Sequence, residues 1–173
     1  MKLFRRKIFL AALGLTAATA VANTLIFAQK RRQEMAQFFG TDAAWILPYA
    51  DKTVDFCKMQ GWIPSVEIPH DRSFLTSSPS GRYAVKDLNE IKPEQYGLAI
   101  IDQALSKVAI AAPHDSGDTE VKWRPDEKYA VILHGLAMDD DLGTARIYIG
   151  NLATGKIIYL ADSTRSNCHE GGW

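Results

Sequence analysis

The residues best suited to chemistry fall into four groups. His70-Asp71 follows a proline, with Ser77, Ser78 and Ser80 close behind, and a His beside an Asp and a Ser suggests a hydrolase. No Gly-x-Ser-x-Gly elbow accompanies them, and neighbours in sequence rarely form a triad. Asp115, Asp118 and Glu120 in "HDSGDTE", with Asp139, Asp140 and Asp141 in "MDDDLG", supply enough oxygen for Ca²⁺ if the two loops converge. They lack the alternating spacing of a calcium loop, so the plainer reading is two solvated acidic loops. His169 and Glu170 near the C-terminus, with His114 or His134, have no ligand spacing and make a poor metal set. Nothing here is an assembled catalytic set, and no cofactor is implied.

The fourth group is Cys57 and Cys168. They lack the C-x-x-C spacing of a redox or zinc motif. An even count in an exported chain suggests one disulfide, the alternative being two buried thiols.

Export is what the N-terminus suggests. "MKLFRRK" is a basic leader, and residues 8–28 run for 21 positions without a charge. Ala20-Val21-Ala22 has the small-x-small form of a signal-peptidase site, with cleavage between Ala22 and Asn23. The run also continues through Leu25, Ile26 and Phe27, long enough to anchor in about 30 Å of hydrocarbon. Cleaved signal and uncleaved anchor both stand, and both export the body. From Gln33 onward, 13 basic residues face 20 acidic ones, a net charge of −7. A body so acidic offers no footprint for a phosphate backbone, which argues against nucleic-acid binding.

Two helices are expected near the leader. "QKRRQEMAQFFG" continues as helix until Gly40, and a second is expected from Pro48 to Gln60, ended by Gly61. In the second, Tyr49, Thr53, Phe56 and Cys57 would share one stripe. "GWIPSVEIPHD" reads as an irregular connector.

From Ser73 the pattern changes to eight short β-branched and aromatic runs with turn residues between them, an antiparallel meander. The runs repeat. "SSPSGRYAV" (77–85) returns as "KWRPDEKYAV" (122–131), and "LAIIDQALSKVA" (98–109) as "IYIGNLATGKII" (147–158). Asp102 aligns with Asn151, Ser106 with Gly155 and Lys107 with Lys156. Asp or Asn can bond the turn backbone, and Gly or Ser tolerates the positive φ that reverses the chain. Two units of about 46 residues with four strands each have the period of propeller blades.

These motifs resemble the blade repeat of TolB-like (PD40-type) β-propellers over residues 74–160. That repeat carries an aromatic residue, then Ser-Pro-Asp-Gly-Lys/Arg, a strand, and an I-x-D-x-x-T-G-K hairpin. Two departures stand out: Glu127 occupies the Gly position and Ser80 the Asp position. Two repeats cannot close a ring, so their sheets must pack on each other, on the N-terminal helices or on another subunit. The resemblance implies a binding scaffold, with Trp123 packing between blades. Trp45 and Trp62 also read as core aromatics.

The expected fold is mostly β, an antiparallel meander of two four-stranded blade-like repeats with an N-terminal signal or anchor helix and a short helical segment. The expected regions are 1–28 signal or anchor, 29–72 helical and irregular, 73–162 β repeats and 163–173 tail. The expected function is a non-catalytic, exported protein-binding module of the periplasm or envelope, with an inhibitor or immunity-type protein as the sub-class within it. A small envelope hydrolase and a divalent-metal binder are the alternatives. The expected partner is an envelope protein, with membrane contact through residues 8–28 if they are retained.

Overall fold

A computed structural model of the chain describes residues 23–50, 52–67, 76–113, 119–134, 145–164 and 168. By its internal contacts the chain divides into two compact units, Met1–Asp51 and Lys52–Trp173.

In the first unit, residues 23–39 form a helix (α1) that ends where Gly40 enters the left-handed region at φ +54°. That conformation is open to glycine without steric penalty, and it stops the helix at the expected place. One 3-10 turn (Gly40–Asp42) and a four-residue helix, α2 (Ala43–Ile46), follow. Met35, Phe39, Ala43 and Ile46 recur at near-helical spacing and are buried. Trp45 lies on the other side and is exposed, so it is not the core aromatic its composition suggested. Among the described residues no helix is long and apolar enough to cross a membrane.

The second unit consists of two sheets. Three two-residue strands come first: β1 (Thr53–Val54), β2 (Ile63–Pro64) and β3 (Val66–Glu67). The helix expected over 48–60 does not form. Thr53 and Val54 are β-branched and are taken up as a sheet edge, and only a 3-10 turn, Phe56–Lys58, remains. Its start is capped by Asp55, which accepts the Cys57 N–H.

Seven of the expected strands are present, as β5 (Tyr83–Asp87), β6 (Gly97–Asp102), β7 (Lys107–Pro113), β8 (Thr119–Trp123), β9 (Tyr129–His134), β10 (Ala145–Asn151) and β11 (Ile157–Ser163); of the first, expected over 73–76, residues 73–75 lie outside the described residues and β4 (Thr76–Ser77) stands at its end. The first repeat lies in a five-stranded sheet of order β3-β4-β5-β6-β7, and the second in a six-stranded sheet of order β1-β11-β10-β9-β8-β2. The repeat pairs are antiparallel, and β1 joins β11 in parallel.

The register carries the internal repeat into three dimensions. Tyr83 pairs with Asp102 as Tyr129 pairs with Asn151. Backbone bonds match in the same way. Ser78 N–H donates to Tyr83 C=O and Arg124 N–H to Tyr129 C=O, while Gln103 N–H reaches Arg82 C=O and Leu152 N–H reaches Lys128 C=O.

The two sheets share a core. Tyr83, Val85, Leu98, Ile100 and Ile110 from the first pack with Val121, Trp123, Ala130, Ile132 and Leu152 from the second. Trp123 is fully buried and stacks on Tyr83, centroids 5.9 Å apart. Its indole N–H donates to Ser65 Oγ at 2.8 Å, and Ser65 in turn donates to Val121 C=O. Ser65 thus sits where the chain crosses from β2 in one sheet to β3 in the other. Gly150 faces Ile110 so closely that a Cβ there would overlap the isoleucine side chain.

Candidate binding site

The tight turns β4–β5, β6–β7, β8–β9 and β10–β11 gather at one end of the two sheets. Positive φ recurs at matched positions: Gly81 (+74°) with Glu127 (+51°), and Ser106 (+49°) with Gly155 (+70°). The turn ending each hairpin is closed by a side-chain oxygen, Asp102 Oδ1 accepting Leu105 N–H and Asn151 Oδ1 accepting Ala153 and Thr154 N–H. A polar groove of about 420 Å³ runs between these turns, with Arg82, Asp102, Lys107, Asp126, Glu127 and Thr154 on its walls.

The charges in this groove hold one another. Ser80 donates its N–H to Glu127 Oε1 at 2.9 Å and its hydroxyl to Oε2 at 2.6 Å. The two positions that depart from the repeat pattern therefore meet and clasp one repeat to the other. Arg82 donates to Asp102 from Nε (3.2 Å) and Nη2 (2.9 Å). Burial works to raise the Asp102 pKa, but the Arg82 hydrogen bond and the Leu105 and Ala104 N–H groups outweigh it and hold the carboxyl below the ordinary range. The same hydrogen bond raises Arg82 further.

A second, apolar cleft of about 360 Å³ opens between β7 and the second sheet, lined by Ala111, Ala112, Ile132, His134, Tyr148 and Ile157 with Gly155 at one end. It is within the size range of small-ligand and side-chain pockets, and its walls are mostly aliphatic and aromatic.

On the other side of β8, Lys122 turns away from Val121 and Trp123. Its ammonium donates to the carbonyls of Phe56 (2.6 Å) and Cys57 (2.9 Å), and lies 4.7 Å from the centroid of the Phe56 ring. Burial depresses its pKa, against the pull of Glu120 and Asp55. Cys57 is bonded to Cys168, Cα atoms 5.2 Å apart and 111 positions apart in sequence. Cys168 N–H donates to Glu120 Oε1 at 2.6 Å. Lys122 and the disulfide together fasten the stretch before the repeats, and the stretch after them, to the second sheet.

The residues proposed from sequence are distributed unevenly over this picture. Cys57 and Cys168 are brought together. Glu120 has a structural hydrogen bond to Cys168. Ser77 and Ser78 are buried, and Ser78 Oγ accepts the Tyr83 N–H, so Ser78 holds a turn. Trp62 and Trp123 are buried. Asp115, Asp118, Asp139, Asp140, Asp141, His70, Asp71, His114, His169, Glu170 and Ala22 lie outside the described residues; Asn23 is the first residue of α1 within them. Among the described residues no group of three or more His, Cys, Asp or Glu side chains is placed to hold a metal.

The apolar cleft was not legible in the sequence. Ala111 and Ala112 gave a hydrophobic signal, but nothing marked them as a wall facing Tyr148 and Ile157, which lie more than 30 positions away. Compared with known protein families, characterised proteins and solved structures, the chain finds no match.

Proposed function

We propose that the chain is an exported, non-catalytic binding module of the cell envelope, built to hold a protein partner on a rigid β scaffold. The observation that carries the reading is the Cys57–Cys168 disulfide, which ties the segment before the repeats to the segment after them. Disulfides of this kind persist in oxidising compartments, whereas cytosolic thiols are kept reduced. The basic leader ahead of an uncharged run of 21 residues points the same way. The acidic body suits a basic partner, and the likeness of the repeats to TolB-like blades supports a scaffold role by analogy of fold.

The titratable groups in the polar groove also favour binding over turnover. Ser80, Arg82, Asp102 and Glu127 spend their hydrogen bonds on one another and on turn backbone, which is structural use. Within the class, an inhibitor or immunity-type protein suits a small, disulfide-bonded, acidic chain.

The test is a pull-down of the exported form from its own envelope extract in high salt, with partners identified by mass spectrometry. A single stoichiometric partner supports the reading, and its identity separates an inhibitor from an assembly factor. A chain recovered alone, or mainly from the cytosol in reduced form, overturns it.

A further inference from the structure

The helix α1 sorts its apolar and polar residues along its axis rather than around it. Its inward stripe is ordinary: Met35 and Phe39 are buried, and Ala28 and Arg31 are half-buried on the same line. At about 100° per residue, Leu25, Ile26 and Phe27 stand about 80°, 180° and 280° around the axis from Met35. They occupy the three remaining sides, and each is exposed, at 65%, 64% and 68%. Within the next two turns the same outer sides carry Gln29, Lys30, Arg32, Gln33 and Glu34, all exposed. A helix that lies on a surface or in a groove has its apolar residues on one stripe. One whose apolar residues ring it at one end meets its apolar surroundings end-on.

We propose that residues 25–32 of α1 cross the boundary of a phospholipid bilayer with anionic headgroups, entering it end-on, and that the chain is retained there uncut. Leu25, Ile26 and Phe27 lie in the edge of the hydrocarbon, and Lys30 and Arg32 lie among the phosphates. Lipid surrounds a helix on every side, as three outward apolar residues require, whereas a protein groove or a second helix covers one side. The depth fits. At 1.5 Å per residue Lys30 is about 4.5 Å and Arg32 about 7.5 Å beyond Phe27, against a headgroup layer of about 5–7 Å on each side of the hydrocarbon. The charge fits as well, because anionic headgroups attract lysine and arginine, and the first acidic residue of the chain is Glu34. Ahead of Leu25 the sequence stays uncharged back to Ile8, and the whole run of 21 residues matches about 30 Å of hydrocarbon. A cut after Ala22 would leave six residues of that run, 23–28, which is too few to hold in hydrocarbon. Lys2, Arg5, Arg6 and Lys7 outnumber the three cations at 30–32, so the body faces outward. That orientation rests on the exported reading; the boundary itself does not.

The test uses the full chain with its leader, carrying a photoreactive benzoylphenylalanine at position 25, 26 or 27, or at 33 or 37 as controls. The chain is recovered from cells and weighed intact, then reconstituted in vesicles of phosphatidylcholine and phosphatidylglycerol and irradiated. Its mass is expected to include the residues before Asn23. Lipid adducts are expected at all three apolar positions and about tenfold fewer at 33 and 37, which lie beyond the hydrocarbon. Phosphatidylglycerol is expected in those adducts at about twice its share of the vesicle lipid or more, and Lys30→Gln with Arg32→Gln should remove the excess. Where that double variant loses its fold, salt at about 1 M screens the same charges and serves instead.

A chain whose mass begins at Asn23 overturns the boundary and leaves the exported reading standing. Lipid adducts missing from any of the three sides overturn end-on entry, and adducts at position 26 alone mean a helix lying flat on the bilayer. Adducts on a second copy or on another protein replace lipid with a protein partner and overturn it equally. Phosphatidylglycerol excess that survives the loss of both cations overturns their place among the phosphates. If all three positions label lipid but the body is found reduced on the cytosolic side, the boundary stands and the exported reading falls.

Discussion

The two repeats share a plan and differ in how they are finished. Residues 76–113 and 119–163 have the same strand order, matched positive φ at Gly81 and Glu127 and at Ser106 and Gly155, and matched backbone bonds at their tight turns. Yet the last strand of the second repeat, β11, is capped by β1 and its sheet is tied down by Lys122 and the disulfide. The last strand of the first repeat, β7, is uncapped among the described residues. Burial follows the same division. All of Tyr129–Leu133 in β9 is buried, whereas β5 is buried at Tyr83, Ala84 and Val85 and then emerges at Lys86 and Asp87. A sheet covered on both faces reads as a continuous apolar run, and one that emerges at its end does not. The comparison teaches that a duplicated sequence specifies a duplicated backbone, while the non-repeated flanks decide which copy is closed.

Breaking the fastening should show the largest effect. Cys57→Ser releases a closure spanning 111 positions, and is expected to destabilise the second unit by about 4 kcal/mol on the chain-entropy account. Denaturant unfolding measures it. Hydrogen exchange should rise first in β1 and β11 and leave the β5–β6 pairing least affected. Uniform loosening of both sheets would refute the asymmetry.

The next effect concerns two residues at matched places in the repeat, Trp123 and Ser77, both buried. Trp123→Ala removes the stack on Tyr83 and the bond to Ser65, and should cost about 3 kcal/mol or more. Ser77→Ala deletes only a hydroxyl and should cost about 1 kcal/mol or less. Equal costs would mean that the sheets do not depend on the second repeat's indole for their packing.

A smaller contrast lies in the left-handed turn position. Gly81→Ala places a side chain at φ +74° with no partner and should cost about 1 kcal/mol. Glu127→Gly relieves the strain at φ +51° but loses both bonds to Ser80, so it should stay within about 0.5 kcal/mol of neutral. A double-mutant cycle of Glu127→Gly with Ser80→Ala isolates the clasp. Simple additivity would show that it contributes nothing.

The last prediction is a pH dependence that separates Asp102 from its counterpart Asn151. The Asp102 carboxyl is held below its ordinary range in the fold, so the unfolded chain binds its proton more readily. The stability it contributes is therefore present above the ordinary carboxylate pKa of about 3.9, and is lost as pH falls through the depressed value. Asp102→Asn should make the first repeat's turn resemble the second's and remove this part of the acid-side slope. Stability profiles of the two proteins from neutral pH to pH 2 check it. Parallel profiles would show that Arg82 and Asp102 are not coupled in solution.

The sequence alone determined seven of the repeat strands, their tight turns and the helix stop at Gly40. These rest on local physics: alternation, β-branching, and turn residues that either bond their own backbone or accept positive φ. It also pointed to the disulfide, through the even cysteine count and the leader. Tertiary structure decided the rest. Thr53 shares a helical stripe with Tyr49, Phe56 and Cys57 on paper, but β11 offered Thr53 and Val54 an edge, and a long-range ladder outweighed a weak local preference. Glu127 looked like a flaw in the repeat until Ser80, 47 positions away, supplied its two hydrogen bonds. Trp45 has the same side chain as Trp123, but it falls on the outer face of a four-residue helix. The apolar cleft exists because β7 meets Tyr148 and Ile157 across the space between two sheets. No local pattern encodes that distance, since it is set by how the two sheets pack and where Gly150 lets Ile110 approach.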